Sequence, residues 1–219
     1  GIHQEEYILE PKISEFKKLE DDIIKIVTLA PENDDDRALC KYLRSKGILV
    51  QAGHTMTYDL TECTAVTHMF NAMAPLSHKF QNIISSALIN DNIFIELIAD
   101  GNHVIDDVLK MVFRLKKHNK IMLISDALPQ TKSGVESFTF AGQEVAFKNG
   151  SFYNANGTLA GSGMLQCDIL KRLVQSNLLS FYEAAYMMNV TQLNYLKVFN
   201  NAYVTFDDDL NPVETKFTH

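Results

Sequence analysis

The sequence predicts an α/β fold built on a parallel sheet, and three observations predict it. Five short segments, residues 24–29, 48–52, 65–69, 94–99 and 121–124, are dense in aliphatic or aromatic side chains. Their apolar character is continuous rather than alternating, as expected of strands covered on both faces. Helical grammar fills most of the intervals, and the polar residues able to do chemistry fall just after the strands.

Taken in order, residues 24–29 form the first strand. Residues 33–46 follow as a helix, opened by a cap-like Asn33 and an acidic first turn and closed near Gly47. The second strand, 48–52, ends in Gly53-His54, and the third, 65–69, contains His68. A parallel crossover usually needs a dozen or more residues. The interval from His54 to Ala65 is shorter, so a missing segment is expected between Thr55 and Cys63, and a similar compression is expected at Phe199-Asn200-Asn201-Ala202. Helical stretches at 85–89 and 104–118 flank the fourth strand, which ends in Asp100-Gly101-Asn102-His103, and Asp126 follows the fifth. Residues 138–153 alternate around a Lys148-Asn149-Gly150 turn signal and read as a β-hairpin insertion. Helical spacing returns at 165–178 and 180–188, and 203–206 reads as an isolated strand with no obvious partner.

Composition narrows the function classes. A net charge of -7 over 219 residues disfavours nonspecific binding to nucleic acid or an anionic membrane, since both need a basic field. A small anionic substrate would need local positive charge. Cys40, Cys63 and Cys167 include no CxxC pair and are expected to be reduced thiols. No apolar run approaches the roughly 20 residues of a membrane span, and residues 1–10 lack a secretion-signal pattern, so a cytoplasmic protein is expected. The acidic runs at 34–36 and 207–209 lack calcium-loop spacing and read as a first helical turn and a solvated turn. Phe70, Met73, Met164, Met187 and Met188 are assigned to core packing.

The loops at C-terminal strand ends build the active sites of (β/α)8 barrels, and here four consecutive strands end in His or Asp. Gly1-Ile2-His3, Thr28-Leu29-Ala30-Pro31-Glu32, Gly53-His54-Thr55 and Thr67-His68-Met69-Phe70-Asn71-Ala72-Met73 are followed by further distinctive runs. These are Ile98-Ala99-Asp100-Gly101-Asn102-His103-Val104, Ser125-Asp126-Ala127 and Gly157-Thr158-Leu159-Ala160-Gly161-Ser162. In this order, from Gly1 to about Phe199, they resemble the N-acetylglucosamine-6-phosphate deacetylases of the amidohydrolase superfamily. The resemblance implies a TIM-type (β/α)8 barrel over residues 1–199, with strands four to eight in view and the 138–154 hairpin inserted. Residues 200–219 would then carry a strand of a small β domain.

It also implies roles. His54 and His68 resemble the two metal-binding histidines, and neutral imidazole suits Zn²⁺, with Fe, Co, Mn or Ni as alternatives. Each alone would read as a hydrogen-bonded buried histidine. The third protein ligand implied is a Glu preceding the stretch similar to Gly1-Ile2-His3. Asp126 resembles the catalytic aspartate that takes a proton from the attacking water and returns it to the leaving amine, where a lone Asp would read as a cap or turn residue. His3 resembles a histidine that polarises the substrate carbonyl. Ile2, Asn71, Ala72 and His103 match substrate contacts, and Leu159, Ala160 and Gly161 match a backbone cradle. Lys79 stands where the family commonly places an Arg reaching the phosphate of a neighbouring subunit, and it lacks the bidentate fork; a homodimer is implied. The expected reaction is hydrolysis of N-acetylglucosamine 6-phosphate to glucosamine 6-phosphate and acetate. The alternatives are another amidohydrolase acting on a different N-acyl sugar or amide, and a catalytically silent sugar-phosphate-binding protein.

Overall fold

The structure, a computed structural model, describes residues 2–199 and 201–217. Gly1 of the first motif, Asn200 of the compressed connection, Thr218 and His219 lie outside the described residues.

Five parallel strands, β1 (Ile26–Leu29), β2 (Leu49–Ala52), β3 (Ala65–Val66), β4 (Phe94–Ile98) and β5 (Ile121–Ile124), pair in sequence order. Ile26 stands opposite Leu49, Gln51 opposite Ala65, Ala65 opposite Phe94 and Ile95 opposite Ile121. Side chains alternate between faces along a strand. One face, including Val50, Ile95, Leu97 and Leu123, is buried beneath the helices in the main core. A short helix α1 (Ile13–Phe16) contributes Phe16 to this core. Helices α2 (Ala38–Ser45), α3 (Ile83–Ile89) and α4 (Asp106–Leu115) lie between the strands in the chain and bury Leu43, Ile83 and Leu109 there. Each such side chain contributes roughly 1.5–3 kcal/mol by leaving water. The first strand departs from the expected double-sided burial, because Ile26 and Thr28 are exposed on the opposite face.

The first helix begins later than the sequence predicts. 3₁₀ turns at Pro31–Asn33 and Asp35–Arg37 precede α2, and left-handed backbone at Asp36 and Arg37 (φ 51° and 55°) delays its start to Ala38. The capping group is Asp34 rather than Asn33: its carboxylate accepts from the N–H groups of Leu39 (2.9 Å) and Cys40 (2.8 Å). No helix links β2 to β3. Residues 53–64 instead make a succession of turns, Thr57 N–H to Thr55 Oγ1, Asp59 N–H to Thr57 Oγ1 and Thr61 N–H to Asp59 Oδ1. The third strand ends at Val66 rather than at 69, since His68 and Phe70 have φ of 34° and 81°.

Beyond β5 the predicted hairpin is the centre of a larger sheet. β6 (Ser137–Phe140), β7 (Gln143–Lys148), β8 (Ser151–Asn154) and β9 (Leu159–Ser162) form one antiparallel sheet. Asn149 and Gly150, φ 51° and 82°, make the two-residue turn between β7 and β8, as a type I′ hairpin requires. This sheet encloses its own small core of Ile2, Leu128, Val145 and Phe152. It returns to the parallel sheet through a bridge between Ala127 and Ser162.

Helix α5 (Gln166–Gln175) follows. Then come α6 (Phe181–Ala185), opened by a Ser180/Glu183 capping box, a π-helical turn at Tyr186–Val190, and α7 (Thr191–Leu196). The predicted lone strand is not alone: β10 (Ala202–Phe206) pairs antiparallel with β11 (Pro212–Phe217). Every residue of β11 is exposed and its first is proline, so no alternating apolar pattern marks it. The acidic run 207–209 is the turn between them, closed by Asn211 N–H to Asp207 Oδ1 at 2.7 Å. Among the described residues no helix is long and apolar enough to cross a membrane.

Candidate metal and substrate site

The candidate residues gather at the C-terminal ends of the parallel strands, and their placement begins with a glycine. A Cβ on Gly53 would stand 2.6 Å from Thr28 Cγ2 and 3.0 Å from Thr67 Cβ. Glycine therefore lets the hydroxyls of Thr28 and Thr67 meet at 2.9 Å across β2. The next residue, His54, has φ 50°, His68 has φ 34° and Asp126 has φ 52°. Left-handed backbone is uncommon outside glycine and costs energy wherever it is held. His54, His68 and Asp126 share it, and His3 does not.

The rings of His54 and His68 face one another, Nε2 to Nε2 at 3.2 Å, with centroids 4.9 Å apart and planes at 74°. His3 stacks edge-on against His54 with centroids at 5.4 Å. Burial pushes the His54 pKa down to about 4, and charge on His68 and His3 would push the same way, while Asp126 opposes. Burial also lowers the pKa of His68, and Asp126 again opposes. Asp126 is thus within electrostatic reach of both rings. His68 Nδ1 is buried with no hydrogen-bond partner.

Two imidazole nitrogens about 2.0–2.1 Å from one tetrahedral ion stand roughly 3.3 Å apart. The observed separation fits a shared divalent cation, and partial burial, with His54 still exposed at the surface, favours the neutral imidazoles that ligation needs. Among the described residues no group of three or more His, Cys, Asp or Glu side chains forms a site, so the fit is that of a two-histidine portion.

Asp126 is held through its backbone. Its carbonyl accepts Ser162 N–H at 3.0 Å, and a Cβ on Gly161 would lie 2.9 Å from that oxygen and 2.7 Å from Leu128 Cγ. Gly161 therefore allows β9, with Leu159 and Ala160, to run against Asp126. Ile2 lies in the small core and its carbonyl accepts Gln143 Nε2 at 2.9 Å.

His103 is less open than a substrate contact would suggest. Its side chain is 4% exposed and its Nδ1 stands 2.8 Å from Asp100 Oδ2. Asp100 Oδ1 accepts the N–H groups of Asn102 and His103, both at 2.9 Å. Burial raises the Asp100 pKa, but the hydrogen bonds and charge from His103, with a contribution from Ser162, outweigh it and bring it to about 2. Asn71 turns its amide onto the carbonyls of His68 (3.2 Å) and Met69 (3.4 Å), bracing the loop rather than facing outward. Ala72, φ 51°, and Lys79 are exposed on the loop that follows.

Below the histidines lies a polar layer that the sequence reading passes over. Thr67 Oγ1 donates to Gln51 Oε1 at 2.6 Å, and Gln51 Nε2 donates to Glu96 Oε1 at 3.1 Å. The available signal is polar residues inside otherwise apolar strands: Thr28, Gln51 and Glu96.

No family model matches the chain. The N-acetylglucosamine-6-phosphate deacetylase of Bacillus subtilis is 36% identical over 174 residues, which is 74% of this chain and 43% of that protein. The N-acetylgalactosamine-6-phosphate deacetylase of Escherichia coli O157:H7 is 26% identical over 208 residues, 90% of this chain and 55% of that protein. The crystal structure of the Thermotoga maritima N-acetylglucosamine-6-phosphate deacetylase superposes with a TM-score of 0.90 at 28% identity, over 99% of this chain and 64% of that one. The chain spans about half the length of the curated relatives it matches. With motifs, strand order and superposition in agreement, the chain is a homologue of the N-acetylglucosamine-6-phosphate deacetylases.

Proposed function

We propose that the five parallel strands are part of a (β/α)8 barrel whose open end hydrolyses the acetamide of N-acetylglucosamine 6-phosphate, giving glucosamine 6-phosphate and acetate. The observation that carries this reading is the 3.2 Å approach of two imidazoles, His54 and His68, from adjacent strand ends. A divalent ion held between them, Zn²⁺ by preference, would supply Lewis acidity toward the amide carbonyl and acidify water. The remaining steps belong to side chains of this chain. Asp126 takes the proton of the attacking water and delivers it to the departing nitrogen, which leaves poorly unless protonated. His3, edge-on to His54, donates a hydrogen bond to the carbonyl oxygen as negative charge develops there.

The main chain at Leu159, Ala160 and Gly161 lies beside Asp126 and serves as the floor under the sugar. Ile2 and His103 with Asp100 support its sides, and Asn71 and Ala72 shape the loop above it. Lys79, exposed on that loop, offers its ammonium to the 6-phosphate of a neighbouring subunit in a homodimer.

A second reading has an observation of its own. The 26% identical relative from Escherichia coli acts on the galactosamine epimer, so the epimeric 6-phosphate is the nearest alternative substrate, ahead of an unrelated N-acyl compound. The test uses full-length protein loaded with Zn²⁺ and both epimers, with and without the phosphate. Asp126→Asn should bind substrate yet release acetate at least ~100-fold more slowly. A wild-type protein that retains no divalent metal and releases no acetate from any of these compounds is a silent binding protein, and the proposal fails.

A further inference from the structure

The sheet face beneath the two imidazoles carries a chain of polar side chains with a fixed direction. Thr28 of β1, Thr67 after β3, Gln51 of β2 and Glu96 of β4 are joined at 2.9, 2.6 and 3.1 Å. A carboxylate only accepts, so Gln51 must point its amide nitrogen at Glu96 and its oxygen at Thr67. The Thr67 proton is then engaged by Gln51, and Thr28 must donate to Thr67. One acceptor at the far end therefore orders every hydroxyl and amide back to β1.

This chain grips the segment holding His68 from both sides. Thr67, the residue before it, is tied through its hydroxyl to Gln51, and Met69, the residue after it, donates its N–H to the Glu96 carbonyl at 2.8 Å. A φ of 34° at His68 is unfavourable and needs such an outside hold.

We propose that Glu96, acting through Gln51, is a positioning residue for His68: by fixing the direction of the Thr28–Thr67–Gln51–Glu96 chain it holds the turn that aims His68 Nε2 at His54. This rests on the reading of the two histidines as ligands of one ion.

Glu96→Gln preserves shape but lets residue 96 present either an oxygen or an N–H to Gln51, so the chain loses its fixed direction. The paired change Gln51→Glu with Glu96→Gln moves the carboxylate one position along the chain and restores an acceptor for every donor. Two quantities are read in the full-length protein. In the metal-free state, hydrogen exchange at the Met69 amide, which donates to the Glu96 carbonyl, should accelerate by about tenfold in Glu96→Gln as the turn loosens, about one hydrogen bond's worth of protection. Exchange should slow again in the paired variant. On titration with Co²⁺, affinity should fall by about 10–100-fold in Glu96→Gln, as for other groups that orient a ligand, and recover in the paired variant. Wild-type exchange and affinity in Glu96→Gln, or a paired variant no better than the single one, overturns the inference. A wild-type protein that takes up no Co²⁺ would sink the metal reading, while the exchange measurement still decides the role of Glu96.

Discussion

His54 and His68 come from the ends of neighbouring strands and present their Nε2 atoms to each other at 3.2 Å, each from a left-handed backbone. If one ion bridges them, removing either ring removes most of the binding, and removing the second adds little. His54→Ala and His68→Ala should each weaken Zn²⁺ binding at least ~100-fold, since each deletes a direct ligand rather than one of the outer partners worth 10–100-fold. The double variant should lie close to either single one. Calorimetric titration reads this, and a single variant with wild-type affinity contradicts the shared ion.

Gly53 is required by space. Its added Cβ would press on Thr28 Cγ2 at 2.6 Å and Thr67 Cβ at 3.0 Å, both belonging to β-branched side chains with little freedom to move aside. Gly53→Ala should destabilise the fold by about 1–3 kcal/mol in urea unfolding, the usual cost of overpacking. Adding Thr28→Ser removes the nearer methyl while keeping the hydroxyl, and should recover part of that loss. No recovery would mean that the clash is not the cause.

Asp100 gives the protein an acid-sensitive element. Its carboxyl is nearly fully buried, and its pKa lies at about 2 against an ordinary 3.8. The folded state therefore holds this proton less tightly than the unfolded chain. The stabilisation is present above 3.8 and is lost as pH falls through about 2. It amounts to about 2 kcal/mol at 1.36 kcal/mol per unit. Unfolding followed from pH 5 downward should show a steeper decline in wild type than in Asp100→Asn. Parallel declines would remove Asp100 from the account.

Much of this arrangement is legible in the sequence because strand ends are marked by abrupt changes from apolar to polar residues. Four of the five strand segments agree with the structure to within a residue or two, and His54, Asp100 and Asp126 follow strands as predicted, while His68, expected within the third strand, lies in the turn after it. What escapes reading depends on contacts distant in the chain. The delayed start of α2 is set by Asp34 reaching Leu39 and Cys40, and a run of three aspartates does not reveal which one caps. Gln51 and Glu96 look like interruptions of apolar strands until β2 and β4 are seen to flank β3, the strand that leads into the His68 turn. The β11 partner of β10 leaves no apolar signature because every residue is exposed.

Lys116, at the C-terminus of α4, ties that helix to the end of α3. It is 3% exposed, and its Nζ donates to the carbonyls of Ala87 (2.7 Å) and Asn90 (2.6 Å), where a helix C-terminus favours positive charge. Lys116→Met keeps the length but leaves both carbonyls without this donor, at a cost of about 1–3 kcal/mol. The cost should vary with pH. Burial lowers the Lys116 pKa from 10.5 to about 8, so between these values the unfolded chain binds the proton that the folded protein has released. Stability rises with pH wherever the unfolded state binds more protons. The wild-type advantage over Lys116→Met should therefore widen from pH 8 toward 10.5, with the neutral amine still donating to the two carbonyls. Urea titrations across that window read the difference directly, and a narrowing gap would show that these hydrogen bonds hold Lys116 charged despite its burial.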